Sequence, residues 1–391
     1  MAASPAVLLC LACAWLPALG GAAAGVEQAE AHLMFRSAFT PEECARIAQL
    51  FWERPPELDA RTIPLLPNME HDQFRVARVN RFDDGTLGSR GKLDFIFLRL
   101  AALLHGSHAS PLLAVGGIDV DALRSVGAST DSIAAAARNL RARVAFTLLH
   151  EFTPRPGDPS PQFDWHADTK PGDGKARSLN VNVMLSAPGV DFEGGDLQVG
   201  STRVAAQQGD MYLYPAAVVH RVAPILNGTR LTLVVALEDI AADGDGVVSD
   251  DGRSSLARRR ELYWAHVEAS YQRLATGPLA NESKLHILHG EFLEGAGRNA
   301  EAHAAFCRAY AAMGEDAASA HARQFFSDGV SALQRPQGPD LHLAERYFSM
   351  AVCISPGLED AADALSVVRD AILQVDAKSK THGAREERDE L

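Results

Sequence analysis

The chain has 391 residues, 47% of them apolar, and a formal net charge of −13. Such a chain suits a soluble globular protein of two domains plus targeting signals, long enough to bury a sizeable core. The acidic balance, with no basic run interleaved with aromatics, excludes nucleic acid as an expected partner.

Residues 1–26 carry no charged side chain, and their apolar run gives way to small residues that suit cleavage near Ala22 to Ala24. Residues 1–24 are therefore expected to form a secretory signal. The run is also of borderline length for a membrane span and lacks a basic start, which leaves an uncleaved signal anchor as the route to membrane attachment. From residue 26 a folded domain is expected to open with a helix: Thr40 suits the N-cap, Pro41 the first turn and Glu43 the capping box, with Ile47, Leu50 and Phe51 at helical spacing. Residues 92–105 and 131–142 read as further helices.

Strands then dominate. After the run ending in Phe152, Leu179, Val181, Val183 and Leu185 alternate with Asn180, Asn182 and Met184, the pattern of a half-buried strand. Gly194 and Gly195, and the run Gln207 to Asp210, read as hairpin turns. His166 and Asp168 are two apart, so on an extended strand both side chains point the same way. His220 follows a second apolar run and can return beside them. Two imidazoles and one carboxylate on one face of an octahedral ion leave the opposite face open, as non-haem Fe(II) requires, whereas zinc favours a closed tetrahedral site. Arg230, with Thr232 on the same strand face, is shaped to hold a dicarboxylate's far end through paired hydrogen bonds.

The ordered set His166, Asp168, His220 and Arg230, with the turn Phe192 to Leu197 between them, resembles the 2-oxoglutarate and Fe(II) dioxygenases, above all the prolyl and lysyl hydroxylases of the secretory pathway. Ser178 to Asp196 is similar to lysyl hydroxylase catalytic domains, and Ala38 to Phe51 to the opening helix of prolyl 4-hydroxylase domains. The resemblance covers roughly residues 32–240 and implies a double-stranded β-helix (jelly-roll). It also implies Fe(II) on the three ligands, 2-oxoglutarate anchored by Arg230, ascorbate to restore the iron, and a peptidyl proline or lysine as substrate. In prolyl 4-hydroxylases a co-substrate tyrosine usually sits on the strand before the HxD pair, where this chain has Leu148 to Phe152. Tyr212 or Tyr214 could replace it, and Tyr214 is carried forward as the candidate.

Residues 241–255 are rich in Gly, Asp and Ser and read as a linker; their echo of an EF-hand at Asp243 and Asp245 lacks the acidic first position and the final Glu. Over residues 256–375, Gly290, Ala302, Phe306 and Ala309 fit tetratricopeptide positions, and Ala344, Phe348, Ala351 and Pro356 continue the pattern, so an all-α repeat domain is expected. Tyr263, Trp264, Tyr271 and Tyr310 are candidates to line a groove for an extended Pro-rich peptide. Cys307 and Cys353 could pair, but their apolar helical settings favour buried free thiols. Asn227 and Asn281 begin glycosylation sequons. Residues 376–391 read as a flexible charged tail, and Arg388 to Leu391 resembles the signal read by the retrieval receptor of the endoplasmic reticulum.

The expectation is thus an α+β chain that hydroxylates peptidyl proline in the lumen of the endoplasmic reticulum. The alternatives are a lysyl or prolyl 3-hydroxylase, and a non-catalytic lumenal scaffold built on the repeats.

Overall fold

In the computed structural model the described residues are 26–28, 31–52, 78–81, 94–106, 133, 135–137, 140, 143–157, 159–173, 177–238 and 255–389. The signal, most of the linker with its EF-hand echo, and the last two residues lie outside them. Among the described residues no helix is long and apolar enough to cross a membrane. The chain divides into two compact units, 1–277 and 278–391.

The first unit runs β1 (Val26–Gln28), β2 (Leu33–Phe35), α1 (Pro41–Trp52), β3 (Arg78–Arg81), α2 (Asp94–Gly106), β4 (Val144–Phe152), β5 (Phe163–His166) and β6 (Arg177–Met184). It continues through β7 (Phe192–Gly194), β8 (Leu197–Val199), β9 (Thr202–Val204), β10 (Met211–Pro215), β11 (His220–Val222), β12 (Ile225–Gly228), β13 (Arg230–Glu238) and α3 (Ser255–Thr276). All named strand pairs are antiparallel. Seven strands form a major sheet in the order β1-β2-β10-β6-β13-β4-β3, and β5-β11-β8-β9 form a minor one, with β12 and β7 paired apart. This is a jelly-roll, and consecutive strands repeatedly change sheet.

The major sheet has two buried faces of opposite character. Leu179, Val181, Val183, Leu231, Leu233, Val235, Met211 and Leu213 join Ile47 of α1 and Leu100 and Leu104 of α2 in one apolar cluster. Each such side chain contributes about 1.5–3 kcal/mol when fully buried. The other face carries Asn180, Asn182, Tyr212, Tyr214, Arg230 and Thr232, and these too are buried. The half-buried strand expected at 177–186 is therefore buried on both sides, because its polar face lines an interior site rather than solvent.

α1 begins as its sequence dictates. Thr40 N–H donates to Glu43 Oε2 at 2.8 Å while Glu43 N–H donates to Thr40 Oγ1 at 3.2 Å, a reciprocal cap. Glu43 Oε1 also pairs with Arg99 of α2 at 2.7 Å, tying the two helices that cover the sheet. Cys44, one residue on, is a buried free thiol whose pKa is pushed up to about 12, by burial first and then by Glu43.

The two glycine turns are not hairpins. Gly194 and Gly195 carry the chain from β7, paired with β12, to β8 in the minor sheet. Gly209 does the same between β9 and β10, with Met184 N–H donating to Asp210 O at 3.0 Å and Gly209 N–H returning to Met184 O at 2.8 Å. A glycine turn signals reversal, but where the next strand pairs is decided by the apolar faces it must cover. Asn227, the first sequon, is exposed, and its own side chain accepts the Gly228 N–H at the β12 turn.

The second unit is helical: α4 (Ser283–Gly295), α5 (Asn299–Ala311), α6 (Glu315–Leu333), α7 (Leu341–Ile354) and α8 (Glu359–Asp389). Two hairpins repeat one close contact. Gly290 of α4 faces the Phe306 ring of α5, and a Cβ on Gly329 of α6 would meet Phe348 of α7 at 2.5 Å, so only glycine lets these rings seat. Asn281, the second sequon, is exposed just before α4. The expected flexible tail is instead a continuation of α8 to Asp389, since its Ala, Lys, Arg and Glu residues all favour helix.

Cys307 and Cys353 are half-buried and bonded to each other, with Cα atoms 5.8 Å apart, so the free-thiol expectation is wrong. Helical patterning shows that each lies near a core; it does not show that α5 and α7 bring them together. Replacing both by serine is expected to cost about 2–4 kcal/mol. Thermal unfolding with and without reductant measures this, the double variant matching the reduced wild type.

Candidate functional site

β5 and β11 pair so that His166 and His220 stand opposite each other across the ladder, with ring centroids 4.2 Å apart. Asp168 lies just beyond the end of β5, so it reaches the same side from a turn rather than from the extended strand expected. Its N–H donates to Ala216 O at 2.9 Å. Its carboxylate oxygens lie 3.6 Å from His220 Nε2 and 4.0 Å from His166 Nε2. One donor atom from each residue falls within 4.8 Å of the others.

Backbone carbonyls aim both rings. His166 Nδ1 lies 2.7 Å from Asp164 O and His220 Nδ1 2.9 Å from Val218 O. A carbonyl only accepts, so each Nδ1 carries the hydrogen and Nε2 is left as the ligand atom. Asn180 Nδ2 donates to Asp168 Oδ2 at 2.6 Å and fixes the carboxylate. Two nitrogens and one oxygen held this way fit a first-row divalent ion of the non-haem iron type.

Across the same inner face lies Arg230, 1% exposed. Its Nη1 donates to Thr232 Oγ1 at 2.7 Å and its guanidinium sits 5.8 Å from the Phe152 ring. Among the described residues its buried Nε has no hydrogen-bond partner and no carboxylate pairs with it. A buried charge without a counter-ion costs several kcal/mol, so this arrangement fits an anion supplied from outside. Gly195 makes room for it: a Cβ there would meet Arg230 Cδ at 2.9 Å, and the backbone has φ +66°.

The two tyrosines divide the pocket. Burial raises the Tyr212 hydroxyl pKa, and the neighbouring Arg230 and Thr232 side chains oppose the rise. Tyr214 stands at the metal end instead, its ring 4.8 Å from His220, with a pKa raised well above the usual by burial and then by Asp168. On β4, where a tyrosine was looked for, His150 is paired opposite Thr232 and lies 5.3 Å from the Phe163 ring. Burial first, then the Arg230 charge, pushes its pKa down to about 3, so it enters the pocket as a neutral ring.

Sequence reasoning brought out His166, Asp168, His220, Arg230 and Thr232, which the fold gathers on one interior face. It did not single out Asn180 or His150, and of the two tyrosines it named it carried Tyr214 forward, whereas Tyr212 is the one beside Arg230. Their signal was a run of polar residues at every second position of strands too apolar on the other face to be exposed. Tyr263 and Tyr271, expected in a groove, are buried. Asn180→Ala is expected to weaken metal binding about tenfold, since partners that orient ligands carry ten- to hundredfold effects. Titration with Co(II) reads this directly; unchanged affinity would remove Asn180 from the site.

Residues 155–237 match the 2OG-Fe(II) oxygenase superfamily, a segment that contains all three metal donors and Arg230. A PKHD-type hydroxylase of Variovorax paradoxus is 27% identical over 144 residues, which are 34% of this chain and 60% of that protein. One from Janthinobacterium sp. is 38% identical over 82 residues, 20% of this chain and 33% of its own length. The chain thus spans less than two thirds of these relatives. Among solved structures, the viral collagen prolyl hydroxylase vCPH from Paramecium Bursaria Chlorella virus-1 overlays 54% of this chain and 96% of its own, with 11% identity and a TM-score of 0.34. The matched segment is thus similar to 2OG-Fe(II) oxygenase domains, and the donor set it contains is of the kind that would hold Fe(II), with Arg230 placed to meet a co-substrate carboxylate.

Proposed function

We propose that this chain, through the 2OG-Fe(II) oxygenase domain at residues 155–237, hydroxylates peptidyl proline in proteins of the endoplasmic reticulum lumen. One observation carries the reading: three metal donors and a buried Arg230 that pairs with no carboxylate among the described residues share the inner face of one barrel. Bound there, Fe(II) with 2-oxoglutarate and O₂ supplies the oxidation that turns a C–H into a C–OH while the co-substrate leaves as succinate and CO₂.

The chain's own residues bind and orient. His166, Asp168 and His220 hold the metal in a set aimed by carbonyls and Asn180, and Arg230 with Thr232 holds the co-substrate's far carboxylate. Tyr212 closes that end with its hydroxyl, while His150, Phe152 and Phe163 keep the wall between the two ends largely apolar. The PKHD-type relatives support a hydroxylase, and the two glycine-to-phenylalanine hairpins of the second unit, which we take as tetratricopeptide-like, suit an extended Pro-rich peptide as its substrate. The lumenal location rests on the apolar run within residues 1–24 and on Arg388 to Leu391.

Purified protein, incubated with Fe(II), 2-oxoglutarate, ascorbate and Pro-rich peptides, is expected to release succinate and add one oxygen to proline, read by mass spectrometry. Oxygen on lysine would move the substrate assignment. No succinate under any condition would favour a scaffold over an enzyme.

A further inference from the structure

The stretch between β10 and β11 holds two of the three metal donors through its backbone. Ala216 O accepts the Asp168 N–H and Val218 O lies 2.9 Å from His220 Nδ1. Ala217, between them, gives its own N–H to the hydroxyl of Tyr263, 3.0 Å away on α3. Ala216, Ala217 and Val218 are at most 1% exposed, so no water can replace that acceptor. Ala216 N–H is fixed to Ser178 O and Val218 N–H to Pro215 O, while the Ala217 N–H between them is held by a side chain of α3.

α3 is built to hold Tyr263 still. Tyr263, Val267, Ser270, Tyr271 and Leu274 recur at helical spacing and all are buried. The break between compact units falls at Gly277, beyond this helix rather than within the expected linker, so α3 folds with the barrel.

We propose that Tyr263 is a positioning residue of the metal site: its hydroxyl pins the 216–218 backbone that aims Asp168 and His220. This rests on the metal reading given above. Removing the hydroxyl leaves a buried N–H unpaired, and relieving it requires the segment to shift, which moves two donors at once.

The full chain with Tyr263→Phe should bind Co(II), followed by its visible absorption, about tenfold more weakly than the wild type, the lower end of what ligand-orienting partners carry. Its melting temperature should also rise less on adding Co(II). Val267→Ala loosens the same helix without touching the hydrogen bond, and should lower the metal-free melting temperature while leaving Co(II) affinity unchanged. If Tyr263→Phe binds Co(II) as tightly as the wild type, or if Val267→Ala weakens binding equally, the positioning role is refuted while the metal site stands. If the wild type itself binds no Co(II), the metal reading falls and takes this inference with it.

Discussion

His220→Ala and Asp168→Ala are each expected to abolish both metal binding and turnover. A three-donor site has no spare member, and each of these residues supplies one of the three atoms that converge within 4.8 Å. Loss should be at least the ten- to hundredfold seen when merely the orienting partners of ligands are removed, and in a Co(II) titration it should reach the limit of detection. Neither change should unfold the barrel, because its large apolar cluster lies on the opposite face of the major sheet and includes neither residue. Circular dichroism and melting in the absence of metal check that. Wild-type-like activity in both variants at limiting iron would sink the assignment of these residues.

The metal set could be read from the chain because it depends on features that survive in one dimension: a two-residue spacing, an apolar run before His220, and the order of four residues along the strands. Arg230 and Thr232 were legible for the same reason, since alternation alone puts them on one face. Choosing between Tyr212 and Tyr214 was a different problem. Alternation puts both on the same face, and which one meets Arg230 depends on how β10 is staggered against β6 and β13, where Tyr212 and Val234 are both opposite Asn182. No single strand contains that information.

Asn180 was visible only as half of a period-two pattern, whose usual meaning is solvent on the polar side. In a barrel with a polar interior the same pattern means a wet pocket, and the correction follows from the burial of Asn180 and Asn182 at 2% and 4%. Tyr263 was less accessible still. It lies far along the chain from Ala217, on a helix whose apolar stripe says that it docks but not where. The pairing of Cys307 with Cys353 shares this limit, because the contact is made by the packing of α5 on α7 and not by either helix's own pattern.

Arg230→Ala is expected to raise the 2-oxoglutarate requirement by about ten- to hundredfold, equivalent to the roughly 1.5–3 kcal/mol of a hydrogen bond to a charged group. Metal affinity should be spared, because Arg230 bonds to Thr232 and, among the described residues, to none of the three donors. Arg230→Lys separates charge from shape. A lysine restores the cation but not the planar fork, and the fold has already fitted that fork to its surroundings, with Thr232 taking Nη1, Phe152 beneath the plane and Nε left over for a ligand. The lysine variant should therefore recover only part of the loss. Calorimetric binding of 2-oxoglutarate to the Co(II)-loaded protein reads affinity without turnover. A co-substrate dependence unchanged in Arg230→Ala would move the anchor elsewhere, and full recovery in Arg230→Lys would show that charge alone, not the buried fork, holds the far carboxylate.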